Sequence, residues 1–186
     1  TVTINGIDPP TLEITDPTCA VPTATIVVQT PASGAILPTN LYISEVTDAN
    51  TGALSYVELY NGTGAAVNLA NYKLKMYNNG NATPTWQQIL PNFTFANNST
   101  YIIKISTAAS IPGVVHNFVI PLQGVDTNDN FRLTTLANFE LDIWGPTNGS
   151  TFTPSGQAGY TYRRLASATP LPSTVWNPSD WGVIDP

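Results

Sequence analysis

Three carboxylates near the start of the main series of strand-like segments are candidate calcium ligands. Glu45 and Glu58 each lie between apolar residues, and Asp48 opens the loop 48–52 that separates them. Calcium takes about six to eight oxygen ligands, more than this loop supplies alone. The alternative is structural, because a buried carboxylate needs hydrogen bonds from backbone or hydroxyl groups. A catalytic carboxylate pair is a third interpretation, although the sequence offers no further group to act with it.

A second acidic pair, Asp126 and Asp129, falls in the segment 124–130. Asp and Asn tolerate turn conformations and bond their own backbone, so this segment is most simply a hairpin turn. Calcium binding at the turn is the alternative. The spacing is not that of an EF-hand, since the glutamate at its twelfth position is missing.

Other residue types that carry chemistry are scarce. His116 is the only histidine and Cys19 the only cysteine, too few for a zinc-type centre. No Gly-x-Ser-x-Gly elbow, Walker loop or dinucleotide fingerprint occurs. We therefore expect no enzyme and no cofactor other than calcium. Cys19 is either a small buried hydrophobe or a cysteine whose partner lies in another chain or domain.

Aromatic side chains are the remaining candidates for ligand contact. Trp86 lies in an Asn-, Thr- and Pro-rich segment and is the tryptophan most expected to be exposed. Its simplest role is packing, and contact with carbohydrate is the alternative. Trp144 closes an apolar segment and is expected in the core. Trp176 and Trp181 flank a short Asn-Pro-Ser-Asp segment and are expected to fix the C-terminal tail.

The charge balance excludes the usual nucleic-acid surface. Charged residues make up only 10% of the 186 residues, and the net charge is −6, whereas duplex binding depends on clustered Lys and Arg. Arg163 and Arg164 are adjacent on one strand and so point to opposite faces. No apolar run approaches the ~20 residues of a membrane-spanning helix. A polar surface made of Thr and Asn over β-structure is typical of secreted modules.

The chain divides near residue 38 into a short and a long β-rich segment. Residues 1–37 contain three strand-like segments, at 1–4, 11–15 and 23–29, too few to enclose a core. Beyond them, short segments with alternating or apolar character are separated by Gly, Asn and Pro, which predicts an all-β sandwich or barrel. These predicted strands are 41–46, 56–60, 72–77, 87–90, 101–106, 117–120, 131–135, 139–144 and 160–164.

A family resemblance covers residues 38–186. The run 56–81, the preceding Ile-Ser-Glu-Val at 43–46 and the Thr-Tyr-Ile-Ile at 100–103 resemble bacterial lamin-tail domains. The later Asp-rich turn, the Leu-Asp-Ile-Trp-Gly at 141–145, the Tyr-Arg-Arg-Leu at 162–165 and the Trp-containing tail follow in the family's order. The resemblance implies an immunoglobulin-like β-sandwich of a secreted or cell-surface protein, of the kind that accompanies extracellular hydrolases or adhesin repeats.

The segment 14–28, with its Asp-Pro-Thr-Cys sequence at 16–19, is similar to openings of repeats in gliding-motility-type surface adhesins. This resemblance implies an exported protein of several domains, in which Cys19 has its partner elsewhere.

Three functions are compatible with these features. The first is a non-catalytic extracellular or cell-surface structural or adhesion module. The second is a self-assembling filament subunit in which residues 1–37 donate a strand to the next copy. The third is a carbohydrate- or calcium-binding accessory domain of an extracellular hydrolase. The expected partners are neighbouring domains, other copies of the chain or surface glycans, with neither nucleic acid nor membrane insertion.

Overall fold

Two β-strands pair in the N-terminal part of the chain. The computed structural model describes residues 12–15, 25–28, 40–48, 55–110, 112–126, 128–152, 159–168 and 172–184. The chain divides into two units, Thr1–Leu37 and Pro38–Pro186. In the first, β1 (Leu12–Thr15) and β2 (Thr25–Val28) are antiparallel, with Leu12 opposite Val28. The strand predicted at 1–4 and Cys19 lie outside the described residues.

Short strands separated by Asn-, Gly- and Pro-rich turns make up the second unit. The strands are β3 (Leu41–Thr47), β4 (Tyr56–Asn61), β5 (Val67–Asn68), β6 (Tyr72–Tyr77), β7 (Trp86–Ile89), β8 (Thr94–Phe95), β9 (Thr100–Lys104), β10 (Phe118–Val119), β11 (Asn130–Thr135), β12 (Glu140–Trp144), β13 (Thr161–Arg164) and β14 (Trp181–Ile184). Helical structure within the described residues is limited to single 3₁₀ turns, at Leu69–Asn71, Asn78–Gly80 and Pro178–Asp180. None of the helices found in this part of the chain could cross a bilayer.

Two sheets form the layers of a sandwich. One has six strands in the order β10-β9-β4-β3-β13-β14, and the other four in the order β12-β11-β6-β7. A small pair, β5-β8, completes the unit. All pairings are antiparallel except β10 with β9.

The core lies between the two sheets because side chains alternate between the faces of a strand. The inner face of each sheet contributes fully buried apolar side chains to one cluster, among them Leu41, Ile43, Val57, Leu59 and Ile103 from the six-stranded sheet and Leu74, Met76, Phe131, Leu133 and Trp144 from the four-stranded sheet. Burial of apolar surface at about 25 cal/mol per Å² is what holds the layers together.

The predicted fold class, an all-β immunoglobulin-like sandwich, is confirmed. The helical turn predicted at the C-terminus is also present, with Asn177 Oδ1 accepting a hydrogen bond from the Ser179 N–H. The prediction of a hairpin turn at 124–130 is wrong. This segment joins β10 of the six-stranded sheet to β11 of the four-stranded sheet, so it crosses between layers instead of reversing one strand onto its neighbour.

Candidate functional site

A groove of about 420 Å³ lies on the outer face of the six-stranded sheet. Its walls and floor come from β3, β4, β9 and β13, with one residue from the segment before β10 and one from the segment before β13. The lining residues are Glu45, Thr47, Tyr56, Glu58, Ile102, Val114, Gly159 and Thr161. This groove is the candidate binding site, and it is called the acidic groove below.

Two carboxylates meet in the acidic groove because of the strand register. Glu45 on β3 lies directly opposite Glu58 on β4, after a register shift between Ile43 and Glu45. Directly opposed residues of antiparallel strands have Cβ atoms about 4.5–5.5 Å apart, and like charges at that spacing are destabilising. Arg163, directly opposite Glu45 on β13, offsets part of this repulsion.

Each of the two carboxylates has one neighbour in the sheet. Glu45 Oε2 accepts a hydrogen bond from Arg163 Nε at 2.7 Å, in an ion pair whose arginine side chain is 62% exposed. Glu58 Oε1 accepts a hydrogen bond from the Ser44 hydroxyl at 2.7 Å. An exposed ion pair is worth no more than about 1 kcal/mol. Both carboxylates therefore keep accepting capacity toward the groove.

The other groove residues define what this surface can bind. Ile102 is half-buried and Val114 is exposed, which gives apolar contact area beside the carboxylates. Thr47 and Thr161 join their hydroxyl groups across neighbouring strands at 3.2 Å. The groove thus suits a partner that presents an ammonium, guanidinium or hydroxyl donor together with some apolar surface.

Asp48 follows β3 directly but is turned into the interior. It is fully buried, and its Oδ1 accepts hydrogen bonds from the N–H groups of Tyr160, at 3.0 Å, and Gly159, at 3.2 Å. Its Oδ2 has no hydrogen-bond partner within the described residues. Burial raises the pKa of Asp48 to about 7, against the opposing effect of the two N–H groups.

Asp129 ties the inter-sheet connection to a neighbouring turn. Its Oδ2 accepts a hydrogen bond from the Asp126 N–H at 2.8 Å, and its Oδ1 accepts one from the Asn79 N–H at 2.9 Å. Burial raises its pKa above the ordinary value, while these two N–H groups oppose the rise. The Asp129 carboxylate therefore accepts hydrogen bonds from backbone N–H groups, the structural role that the sequence analysis gave it.

The predicted calcium ligands are only partly brought together. Glu45 and Glu58 are neighbours on the outer sheet face, Asp48 points inward, and Asp129 serves the connection between the sheets. Across the stretches that the structure describes, no three His, Cys, Asp or Glu side chains gather as metal ligands would. Calcium binding stays a prediction.

The lone histidine lies beside a serine and a lysine. His116 Nδ1 is 3.5 Å from Ser110 Oγ, at the outer limit of a hydrogen bond. Ser110 Oγ in turn accepts from Lys104 Nζ at 3.0 Å, so its lone pair is engaged by a cation. The ammonium of Lys104 also donates to the Ala108 carbonyl. These contacts hold Ser110 and His116 near the end of β9.

Asp142, which the sequence analysis did not single out, links the two sheets. It is fully buried on β12, and both of its oxygens lie 2.6 Å from Arg164 NH2 on β13. It also accepts hydrogen bonds from the N–H groups of Ile43 on β3 and Ser173. Burial raises the pKa of Asp142, while Arg164 and these N–H groups oppose the rise. The sequence signal was a polar residue at an inward position of an apolar strand.

The two adjacent arginines point to opposite faces, as predicted. Arg163 is exposed beside Glu45, whereas Arg164 is buried against Asp142 and lies 4.2 Å from the centre of the Trp181 ring. Its guanidinium therefore combines an inter-sheet ion pair with a cation–π contact.

The tryptophans serve mainly in packing. Trp144 is fully buried. Trp181 belongs to the core cluster and Trp176 packs against it, with the two rings 6.0 Å apart, so both tryptophans fix the C-terminal tail to the sandwich as predicted. Trp86 is half-buried on β7 and packs against the core. It is less exposed than the sequence predicted because it lies on the inner side of β7, opposite Met76. Its contact with carbohydrate stays a prediction.

The sheets and the core define an immunoglobulin-like β-sandwich with a groove on the outer face of one sheet. A family model, the Lamin Tail Domain, matches residues 37–149, more than half of the chain. The chain therefore belongs to the lamin tail domain family, which is non-catalytic and immunoglobulin-like. No curated protein matches the chain. Strands β13 and β14 lie beyond the matched residues but complete the six-stranded sheet.

Proposed function

We propose that the chain is a non-catalytic structural and adhesion module of a secreted or cell-surface bacterial protein, with the acidic groove as its contact surface. The observation that carries this proposal is the directly opposed pair of Glu45 and Glu58 on an outer sheet face. Like charges placed opposite each other cost stability. Local choices that conflict with the fold are expected at functional sites.

The use of the buried carboxylates supports a structural role. Asp48, Asp129 and Asp142 each accept backbone N–H groups from distant parts of the chain. Asp48 joins the end of β3 to the start of β13, Asp129 joins the connection before β11 to the turn at Asn79, and Asp142 joins the two sheets. A module that bears load between neighbouring domains needs such long-range links within its own unit.

The composition supports a location outside the cell. Only 10% of the residues are charged, and the surface is instead rich in Thr and Asn. The family membership adds the immunoglobulin-like sandwich, a scaffold on which binding surfaces are carried by strands and loops.

Adhesion of coated beads to the cells that produce the protein tests this proposal. Beads carrying the purified chain are expected to bind intact cells, and Glu58→Gln should lower binding several-fold because the groove loses an acceptor. The matched control is Glu140→Gln, the same chemical change on the four-stranded sheet, which should bind at least as well as wild type.

Two results would overturn the proposal. Equal binding by wild type and Glu58→Gln would remove the groove as the contact surface. Absence of bead binding, together with a protein found only inside the cells, would remove the adhesion role altogether.

A further inference from the structure

The outer face of the four-stranded sheet carries half of the cations of the chain. Lys73, Lys75 and Arg132 all point outward from β6 and β11, and the chain has only six Lys and Arg residues in total. Among the residues that the structure describes, Glu140 is the acidic side chain paired with this face, at 2.5 Å from Arg132. This surface is called the basic face below. It is positive on a chain of net charge −6.

The basic face repeats the geometry of the acidic groove with the opposite sign. Lys75 lies directly opposite Arg132, as Glu45 lies directly opposite Glu58. Both are pairs of like charges whose Cβ atoms are about 5 Å apart in an antiparallel register. The pKa of Lys75 is lowered by its partial burial and by the charge of Lys73, as expected for crowded cations.

One member of each pair is left for a partner. Arg132 is paired with Glu140 and stacks 4.3 Å above the Tyr77 ring, and Glu45 is paired with Arg163. Within the described residues Lys75 has no hydrogen bond or close ion pair, and only the more distant charge of Glu140 acts on it. Glu58 accepts a hydrogen bond from the Ser44 hydroxyl and lies within reach of the charge of Arg163 without a direct ion pair. Lys75 and Glu58 are therefore the complementary charges.

We propose that the basic face of one copy docks in the acidic groove of a second copy, with Lys75 of one against Glu58 of the other. The proposal names the partner of the groove and rests on the proposed function above. The two surfaces lie on opposite sides of the sandwich, so the contact is head-to-tail. Such a contact repeats from copy to copy and builds an open chain of subunits unless a rotation closes it into a ring.

Apolar surface adjoins the charges on both sides. On the basic face, Ile89 lies opposite Lys73 and is 54% exposed. Beside the acidic groove, Val114 is 39% and Val115 is 74% exposed. Docking would remove these side chains from water, which adds a hydrophobic contribution to the charge contacts.

Charge reversal separates this contact from a structural role. Lys75→Glu relieves the repulsion with Lys73 and Arg132, and Glu58→Lys exchanges the repulsion with Glu45 for one with Arg163. Lys75→Glu should therefore melt at or above the wild-type temperature and Glu58→Lys close to it, while both lose assembly. A purely structural role would lower the melting temperature instead. Thr174→Glu and Thr174→Lys place the same charges on an exposed position of the C-terminal tail that belongs to neither surface as defined above, and they serve as controls.

Sedimentation velocity of the purified full chain is the test. Wild type should form larger species with rising concentration at about 0.01 M salt and should dissociate near 1 M. Over this range the Debye length, the distance over which charges act, falls from ~30 Å to ~3 Å. Each reversal should weaken assembly at least about tenfold, since facing like charges cost several kcal/mol. An equal mixture of Lys75→Glu and Glu58→Lys, and the double variant alone, should assemble again. The Thr174 controls should behave as wild type.

Three outcomes would overturn the inference. A wild type that stays monomeric at low salt removes it, and the bead assay then decides separately whether the groove binds another partner. Loss of assembly in Glu58→Lys but not in Lys75→Glu would indicate a groove-to-groove dimer. A monomer whose basic face binds vesicles of phosphatidylglycerol, with binding lost in Lys75→Glu, would indicate a lipid surface as the occupant.

Discussion

Replacement of Asp48 by Asn should stabilise the protein at neutral and alkaline pH. The carboxylate is fully buried, and its Oδ2 has no partner in the described part of the chain. The amide keeps an oxygen that can accept from the N–H groups of Gly159 and Tyr160. The change therefore removes a charge and leaves the hydrogen bonds that join the end of β3 to the start of β13.

The magnitude follows from the pKa of this carboxyl. Burial raises the pKa of Asp48 from 3.8 to about 7. The folded state thus holds the proton more tightly than the unfolded chain, so the free energy of unfolding falls as the pH rises between these values. Roughly three pH units at about 1.4 kcal/mol each give a loss of about 4 kcal/mol, complete above pH 7. Asp48→Asn avoids this loss, but its buried NH₂ group has no acceptor, which costs the variant about 1–3 kcal/mol at every pH.

Urea unfolding followed by tryptophan fluorescence checks the prediction. All four tryptophans lie in the unit Pro38–Pro186, so the signal reports this unit. The advantage of Asp48→Asn over wild type should grow by about 3–4 kcal/mol between pH 4 and pH 8. Glu140→Gln, a change at a partly exposed carboxylate, should shift stability by less than about 1 kcal/mol. A difference between Asp48→Asn and wild type that does not depend on pH would refute the reasoning.

Three further predictions concern the inter-sheet ion pair, one turn and calcium. Asp142→Ala should cost about 3–5 kcal/mol in urea unfolding, because it leaves Arg164 buried and unpaired; a double variant with Arg164→Met that is no more stable than the single one would contradict this. Gly145→Ala should lower the melting temperature, because Gly145 has a φ of +89° and its new Cβ would lie 2.8 Å from the Asp129 carbonyl oxygen; an unchanged melt would contradict the turn geometry. Millimolar calcium should raise the melting temperature of wild type but not of Glu45→Gln if the predicted calcium ligands bind; a flat response in both would remove the calcium role.

The fold could be predicted because its signals are local. Strands such as β6 and β11 alternate apolar and polar residues, and this alternation can be recognised without knowing which strand pairs with which. The two-residue strands β5 and β8 are too short to show a period. Strand β14 was not predicted. It pairs with β13 across the long connection 165–180, and a pairing between segments so far apart leaves no local pattern in the sequence.

The candidate site could be predicted only in part, because it depends on register between strands. Glu45 and Glu58 were both singled out, but their direct opposition follows from a register shift between Ile43 and Glu45 that has no sequence signal. Lys75 and Arg132 were not considered at all. They lie on strands far apart in the sequence that become neighbours only in the folded sheet.

Labelling of intact cells with a membrane-impermeant amine reagent tests the central claim most directly. Lys73 and Lys75 lie on an outer sheet face, and labelling at about 1 M salt keeps the proposed contact between copies open. A surface-displayed module should therefore carry the label on these lysines before the cells are broken. Mass spectrometry of the extracted protein should find them modified to a similar extent in intact and lysed cells. Labelling of these lysines that appears only after lysis would contradict a cell-surface module.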